Sequence, residues 1–388
     1  MSRAKFGVGI ILLAMAALSI SACGGESTGA AALPSGSVKL HGAGATFPLA
    51  VYSQWNFAYK LANPSTLVNY QGIGSGGGKK AMIDGTVDFA GSDSLMKDKE
   101  YKAAADKGVT LQMFPTLAGA VVPIVNIPEI TQTLTIDGPT LAAIYLGTIN
   151  RWNDPALAKL NPKLTLPDKP ITVVHRSDGS GTTEVFTKYL SKVSEEWKNG
   201  PGGASAVEWP ADKLGNGVAG KGNPGVAATV QATPYSIGYV ELSFAKLNNI
   251  PFFEMMNAAG NTVTADAESL NSAMLDFGDQ FSDKLTVDTI SNGPGAKSWP
   301  IAGYTYMIIP MNFRPDAAQG CMKAQKLLDY IYWFNTDADA MAQANLLGYS
   351  TLPESVRAQV FETLAHVQCD GQALQFGGTA PQAKANSE

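Results

Sequence analysis

The segment HRSDGSGTTEVF, from His175 to Phe186, groups several reactive side chains around two glycines. A histidine five residues before a serine could act as the base for a nucleophile. A glycine-rich turn that leads into a helix could instead bind an anion through free backbone N–H groups. The segment could also be only a polar turn, so the elements around it must decide between these chemistries.

The elements that flank this segment favour an anion site. ITVVHR, residues 171–176, is a β-branched run typical of a buried strand, and apolar residues after the turn recur at helical spacing. Ser180 is then a natural N-cap residue. The free N–H groups of Gly181, Thr182 and Thr183 would point out of the N-terminus of the helix, where an anion binds well.

A serine hydrolase is the first alternative for this segment. Gly179-Ser180-Gly181 does not complete the G-x-S-x-G pattern of such enzymes. Neighbouring residues of a strand face opposite sides, so an Arg176 that faces the turn leaves His175 facing away from it. We therefore expect His175 to be an ordinary core or surface residue.

Two earlier segments repeat the order of strand, glycine turn and helix, and a third ends in an acid. In LHGAGATFPLA, Thr46 and Phe47 precede Pro48, which suits the first position of a helix. In YQGIGSGGGKK, Ser75 stands where a short helix begins. In TVDFAGSDS, a short strand leads to Asp93, an acid that is unexpected beside an anion and therefore informative. Together these segments make a stronger case for an anion site than one glycine turn alone.

A dinucleotide site is the second alternative. Residues 72–77 read G-x-G-x-x-G after a strand, and Asp93 follows within about 20 residues, where a ribose-binding acid would stand. Asp84-Gly85 ends the intervening helix after about two turns, which is shorter than the usual crossover of such a unit. The export signal that the N-terminus predicts, described next, also argues against a nicotinamide enzyme.

The N-terminus predicts export. A basic start precedes an apolar run over residues 6–20, which is shorter than the roughly 20 residues of a typical transmembrane helix. We predict a lipoprotein signal peptide at 1–22, lipid such as palmitate on Cys23, and a flexible tether at 23–37. The alternative is a plain secretory signal in which Cys23 has no role.

Cysteine usage and composition narrow the class of protein. Once Cys23 is set aside, Cys321 and Cys369 remain as an even pair, which in an exported protein predicts a disulfide, with two buried thiols as the alternative. The sequence has no CxxC motif and no His-rich cluster, so it does not predict a metal site. A formal net charge of −5 makes nucleic acid an unsuitable partner. A length of 388 residues predicts two domains, and alternating short apolar and amphipathic runs indicate α/β architecture.

The four polar segments together resemble a known family. GAGATFP, YQGIGSGGG, VDFAGSD and HRSDGSGTT look, in order, like the four ligand-binding segments of the phosphate-binding protein of the high-affinity phosphate ABC transporter, the PstS family. The likeness runs from Val38 to the region of Leu352. It includes DGPTLAAIYLGTINRWNDPALAKLNP and IGYVE, which resemble family segments outside the site.

The resemblance implies an α/β, two-lobed periplasmic-binding-protein fold. In that fold the lobes are joined by hinge strands and close on a ligand in the cleft between them. Residues 38–117 together with 299–388 would form lobe I, and residues 118–298 would form lobe II.

The resemblance also implies the residues of the site. The phosphate contacts would be Thr46, Phe47 through its backbone N–H, Ser75, Asp93, Arg176, Ser180, Gly181 and Thr182, and Asp178 would hold Arg176 in place. Two departures from the family pattern are Gly76, where a second serine is frequent, and the polar pair Thr183-Glu184, where apolar residues are common. Neither departure removes an expected contact.

The function implied by the resemblance is capture of inorganic phosphate and its delivery to an ABC transporter permease. The chain would be a monomer without cofactor, metal or catalysis, held by its lipid to the bacterial cell membrane and facing the periplasm or cell wall. Sulfate or molybdate is the alternative ligand, and an exported phosphatase or serine hydrolase is the alternative from another class.

Overall fold

The computed structural model describes residues 37–278, 280–281, 285–314 and 320–377. The predicted signal peptide at 1–22, the lipidation of Cys23 and nearly all of the 23–37 tether lie outside the described residues, as does the 378–388 end of the predicted lobe I.

Strands and helices alternate along most of the described chain. The strands are β1 (Val38–Gly44), β2 (Thr66–Gly72), β3 (Phe89–Ser92), β4 (Leu111–Asn126), β5 (Thr135–Asp137), β6 (Thr172–Arg176), β7 (Gly217–Gly220), β8 (Ser236–Glu241), β9 (Glu254–Met256), β10 (Thr262–Val263), β11 (Ala302–Pro310), β12 (Asn312–Phe313), β13 (Ser350–Thr351), β14 (Gln368–Cys369) and β15 (Gln372–Ala373). The helices are α1 (Leu49–Ala62), α2 (Ser75–Ile83), α3 (Asp98–Ala105), α4 (Gly138–Leu146), α5 (Pro155–Leu160), α6 (Gly181–Val193), α7 (Glu195–Asn199), α8 (Pro210–Leu214), α9 (Gly222–Ala232), α10 (Leu242–Leu247), α11 (Ala267–Leu275), α12 (Gly320–Thr336), α13 (Ala338–Leu347) and α14 (Glu354–Leu364).

One long mixed sheet organises the described chain. Its strand order is β2-β1-β3-β11-β4-β8-β6-β7, with β13 also paired to β4. Strand β4 joins the two halves, because it pairs antiparallel with β11 over residues 111–120 and then with β8 over residues 121–126. Its sequence LQMFPTLAGAVVPIVN is buried along almost its whole length, as expected for a strand that is covered on both faces.

Parallel strands in both halves end where helices begin. In one half β1 runs parallel to β2 and β3, and in the other β6 runs parallel to β7 and β8. Helices α1, α2, α6 and α9 follow β1, β2, β6 and β7 directly. Because α/β sheets bind ligands at the carboxyl ends of their strands, these helix N-termini mark the candidate site.

Aromatic contacts anchor two of these helices. Trp55 of α1 stacks on Phe334 of α12 with ring centroids 4.6 Å apart, and Phe186 of α6 stacks on Tyr239 of β8 at 4.3 Å. All four rings are buried. Burial of one such side chain stabilises the fold by about 1.5 to 3 kcal/mol, so the N-termini of α1 and α6 are held firmly.

The predicted disulfide is confirmed. Cys321 in α12 and Cys369 in β14 are bonded, with Cα atoms 5.5 Å apart and a sequence separation of 48. Among the described residues, no helix combines the length and apolar character needed to cross a bilayer.

Candidate anion-binding site

The structure gathers the predicted contact residues into one buried cluster at the carboxyl ends of the strands. Each contact residue other than glycine is at most 7% exposed. The members are Thr46, Phe47, Ser75, Asp93, Arg176, Ser180, Gly181 and Thr182. They come from both halves of the sheet, so only the complete fold assembles them.

The turn that follows β6 has the predicted form of strand, turn and helix. Helix α6 begins at Gly181, and Ser180 is its N-cap residue. The Oγ atom of Ser180 accepts a hydrogen bond of 3.0 Å from the N–H of Thr183. The N-terminus of α6 is therefore fixed, and its first N–H groups face the cluster.

His175 lies on the opposite side of β6, as the alternation of the strand predicts. Its Nε2 atom is 2.8 Å from Oδ1 of Asp212, and its ring stacks on Trp209 with centroids 4.9 Å apart. A histidine held in this way does not reach Ser180. The arrangement of nucleophile and base that a serine hydrolase needs is not formed by these two residues.

Backbone from the two halves of the sheet meets at Ser75, where α2 begins. The Oγ atom of Ser75 accepts hydrogen bonds from the N–H groups of Gly181 at 3.1 Å and Asp93 at 3.2 Å. A Cβ atom added to Gly181 would lie 2.5 Å from Cβ of Asp93, so only glycine permits this approach. The N–H of Gly76 also donates to the carbonyl of Gly179 at 3.1 Å. The two halves are therefore closed against each other over the cluster.

Thr46 and Phe47 lie between β1 and α1 on the same side. The Oγ1 atom of Thr46 accepts two hydrogen bonds of 3.0 Å from Asn223, at the second residue of α9. The carbonyl of Phe47 accepts a hydrogen bond of 2.7 Å from the hydroxyl of Tyr349. The segment that precedes α1 is thus fixed by residues from two distant parts of the chain.

Arg176 brings a positive charge into the cluster, and Asp178 orients it. The Nε and Nη2 atoms of Arg176 donate to the two carboxylate oxygens of Asp178 at 2.8 and 2.6 Å. Burial raises the pKa of Asp178, but the hydrogen bonds and charge of Arg176 outweigh it, so the pKa lies below its ordinary value. The N–H of Gly222 also donates to Asp178 at 3.0 Å. This forked pair supports the predicted role of Asp178 as the residue that holds Arg176.

Asp93 is a buried acid among hydrogen-bond donors. Its Oδ1 atom accepts a hydrogen bond of 2.8 Å from the hydroxyl of Thr305, and its Oδ2 atom lies 3.4 Å from Oγ of Ser75. Burial raises the pKa of Asp93 to about 7, and the Thr305 hydrogen bond and the Arg176 charge oppose part of that rise. A carboxyl that titrates near neutral pH can accept or share a proton with a bound group.

Glu241 is a second buried acid near the cluster, at the end of β8. Its Oε2 atom accepts hydrogen bonds from the N–H and hydroxyl of Ser243 and lies 2.8 Å from the hydroxyl oxygen of Tyr349. Its Oε1 atom is buried and has no hydrogen-bond partner among the described residues. Burial raises the pKa of Glu241 to about 8, and the nearby charge of Asp93 acts in the same direction. Glu241 therefore favours its neutral form in the folded protein.

We predict that Glu241→Gln changes how stability depends on pH. Since the folded pKa of Glu241 lies above the ordinary value of 4.5, its contribution to stability is complete below that value and is lost as the pH rises through about 8. Glu241→Gln has no ionisable group at this position, so its stability does not fall in this way as the pH rises. Its free energy of unfolding relative to wild type should rise by about 2 to 5 kcal/mol between pH 5 and pH 9, measured by urea denaturation without phosphate.

The exposed acid Glu208 supplies the matched control for this experiment. Its side chain is 84% exposed and pairs with Lys213 on the surface. Glu208→Gln should follow the wild-type dependence over the same pH range. If Glu241→Gln also follows wild type, Glu241 is not the buried neutral group described here.

Comparison with known proteins places the chain in a family. A model of the PBP superfamily domain matches residues 27–338. A phosphate-binding protein PstS of Xylella fastidiosa strain Temecula1 is 42% identical over 325 residues, which cover 84% of this chain and 84% of that protein. The chain belongs to the PstS family of phosphate-binding proteins. The PstS of Pasteurella multocida is likewise 42% identical, over 81% of this chain and 86% of its own.

A solved structure supports the PstS-family fold independently. An ancestral soluble variant of the human phosphate-binding protein superposes with a TM-score of 0.68 at 20% identity, covering 88% of this chain and 97% of that chain. At that identity the likeness concerns the fold alone. The predicted family and the predicted two-lobed periplasmic-binding-protein fold are both confirmed.

Sequence reasoning missed three polar residues around the cluster of this PstS-family chain. They are Asn223, Thr305 and Glu241. Asn223 had a usable signal, because VAGKGNPGV is another short strand followed by glycines and a proline near a helix start. Thr305 and Glu241 lie within strands and carry no local signal of this kind.

Proposed function

We propose that this chain is the extracytoplasmic solute-binding component of a phosphate ABC transporter. It captures inorganic phosphate between two lobes and delivers it to the permease in the membrane. The observation that carries this proposal is the presence of one buried acid, Asp93, and one buried guanidinium, Arg176, in the same cluster of hydroxyl and N–H donors. A protonated oxyanion is the ligand that needs both an acceptor and many donors.

Affinity in this account comes from local groups rather than from the overall field. The chain carries a formal net charge of −5, which repels an anion at long range. The donors are the hydroxyls of Thr46, Ser75, Ser180 and Thr182 and the backbone N–H groups of Phe47 and Gly181, and Arg176 supplies full charge through a planar fork. The N–H of Gly181 donates to Ser75 in the structure and would turn to the anion when phosphate binds. Each charge-assisted hydrogen bond contributes about 1.5 to 3 kcal/mol. Several of them exceed the roughly 8 kcal/mol that micromolar binding needs.

Asp93 supplies selectivity for phosphate. Near neutral pH, phosphate keeps at least one proton and sulfate keeps none. The Asp93 carboxylate accepts the hydrogen bond of that proton, whereas facing sulfate or molybdate it meets only lone pairs. A site built to accept a hydrogen bond from its ligand can reject an analogue that lacks this donor by about 10⁴-fold.

The lobes are assigned as residues 38–117 with 299–388 and residues 118–298. Two features support this division: strand β4 changes its pairing partner after residue 120, and contacts such as Gly76 to Gly179 join the two parts over the site. Ligand release then requires a hinge motion that separates Ser75 from Gly181. The chain would act as a monomer.

The N-terminal signals assign the location. The signal peptide at 1–22 directs export, and lipid on Cys23 keeps the binding protein close to its permease. The supporting observations are the basic start, the apolar run and the Ile-Ser-Ala-Cys sequence that ends at residue 23. The 23–37 tether would allow the folded part to reach the permease from its anchor.

The chain is a binding protein and not an enzyme. Ser180 serves as a helix cap, and His175 is engaged with Asp212 on the far side of β6. A phosphatase or serine hydrolase would therefore lack its base at this serine.

Calorimetric titration of phosphate into the purified, phosphate-free protein tests the proposal. We expect binding of one phosphate per chain with a dissociation constant in the micromolar range or below, and no turnover of a chromogenic phosphate ester. Absence of binding at millimolar phosphate would overturn the proposed function. If the protein hydrolysed the ester and Ser180→Ala did not, the chain would be an enzyme rather than a binding protein.

A further inference from the structure

Asn223 occupies a fully buried position between the two halves of the sheet. It is 0% exposed and is the second residue of α9, which follows β7. Its side chain lies among groups that the proposed function uses. The hydrogen bonds of its amide give it a specific place in the site.

The amide of Asn223 links hydroxyls from both sides of the cluster. Its Nδ2 atom donates to Oγ1 of Thr46 at 3.0 Å and to Oγ1 of Thr182 at 3.1 Å. Its own backbone N–H donates to Oγ1 of Thr46 at 3.0 Å. Its Oδ1 atom accepts a hydrogen bond of 3.1 Å from the N–H of Glu241 at the end of β8. That last contact fixes which end of the amide carries the donors.

These contacts determine what the two hydroxyls can do. A threonine hydroxyl has two acceptor lone pairs and one hydrogen. Both lone pairs of Thr46 are taken by the N–H groups of Asn223, and Thr182 accepts from Asn223 and, at 3.4 Å, from Nη1 of Arg176. The hydrogen of each hydroxyl is therefore left to donate elsewhere. In the proposed site, the remaining acceptor is the anion.

We propose that Asn223 is a positioning residue that turns the hydroxyls of Thr46 and Thr182 into obligate donors toward the bound phosphate. The inference rests on the proposed function and adds a residue to it. Because Asn223 is anchored to β8 and touches Thr46 across the cleft, its amide forms this arrangement only when the two halves are closed. Orientation of the donors is thereby coupled to closure.

Calorimetric phosphate titrations of the purified protein test this role. Asn223→Ala should weaken phosphate binding by about 10- to 100-fold, the factor that one charge-assisted hydrogen bond contributes. Asn223→Asp should weaken it further, although it is almost the same size, because a carboxylate takes the hydroxyl hydrogens for itself and also repels the bound anion. Wild-type affinity in Asn223→Ala would overturn the inference.

Double-mutant cycles separate positioning from packing. Thr46→Val and Thr182→Val each remove one of the oriented hydroxyls. If Asn223 acts through them, its replacement in either background should weaken binding at least about 5-fold less than it does in wild type. Losses that simply multiply would overturn the inference. Should Asn223→Ala fold poorly, the same cycles are run with Asn223→Asp.

Asn161 is the matched control. It is a buried asparagine whose Nδ2 atom donates to the carbonyls of Thr135 and Leu157 at 2.9 Å, and it does not belong to the site. Asn161→Ala should lower thermal stability and leave phosphate affinity unchanged. If Asn161→Ala weakens binding as much as Asn223→Ala, the effect is structural and the inference fails. If wild type itself does not bind phosphate, the proposed function fails first.

Discussion

Replacement of Arg176 by alanine is expected to weaken phosphate binding by about 100- to 10,000-fold. The guanidinium is 5% exposed, and its donors are held by Asp178 and directed toward Thr182. The variant loses up to two charge-assisted hydrogen bonds, each worth about 1.5 to 3 kcal/mol. It also leaves the partly buried Asp178 carboxylate without its guanidinium partner, and that carboxylate then repels the anion. Calorimetric titration gives the loss directly.

Two companion variants define what Arg176 contributes. Arg176→Lys keeps the charge but cannot form the planar fork, so its affinity should lie between those of wild type and Arg176→Ala. Arg151 offers a matched control, since it pairs with Asp168 on the surface and its side chain is 48% exposed. Arg151→Ala should bind phosphate as wild type does. Retention of wild-type affinity by Arg176→Ala would show that the anion does not depend on this guanidinium.

Replacement of Asp93 by asparagine is expected to reduce the preference for phosphate over sulfate by about 100-fold or more. Wild type should bind sulfate far more weakly than phosphate, because the Asp93 carboxylate faces only lone pairs of the sulfate oxygens. Such discrimination can reach about 10⁴-fold. The asparagine amide can donate a hydrogen bond to sulfate. Its Oδ1 atom can still accept from Thr305, which bonds Asp93 at 2.8 Å in wild type, so the fold should survive. Parallel titrations of both anions at about pH 8.5 give the ratio, because the Asp93 carboxyl, with a pKa of about 7, is then ionised while phosphate still keeps one proton.

Asp88 supplies the control for the selectivity experiment. It lies directly before β3, whereas Asp93 lies directly after that strand, and it pairs with Lys323 at 3.1 Å. Asp88→Asn should leave the ratio of the two affinities unchanged. If wild type binds phosphate and sulfate equally well, or if Asp93→Asn keeps the full preference for phosphate, Asp93 does not distinguish a protonated anion from an unprotonated one.

Local sequence signals predicted the parts of the site that depend on one strand, one turn and one helix start. Ser180 is an N-cap residue because a serine before an apolar helical pattern caps the free N–H groups. Ser75 is the first residue of α2, whose N-cap residue is Gly74, and Asp84-Gly85 ends that helix, with Gly85 at a φ of +69°. The alternation of β6 also placed His175 and Arg176 on opposite sides correctly.

The parts that escaped prediction depend on contacts between distant segments. Thr305 reaches Asp93 from 212 positions away, and Asn223 reaches Thr46 from 177 positions away. Such contacts exist only because β11 lies beside β3 and α9 faces the start of α1 in the folded sheet. The type of residue at each position gives no hint of its partner. The roles of the site residues likewise came from resemblance to a family rather than from spacing alone.

A crystal structure of the protein grown with phosphate would locate the bound anion. We expect one phosphate ion within hydrogen-bond distance of Thr46, Ser75, Asp93, Arg176 and Ser180, with an Asp93 oxygen close to a single phosphate oxygen. An ion bound far from these side chains, or a phosphate whose oxygens all avoid Asp93, would contradict this expectation.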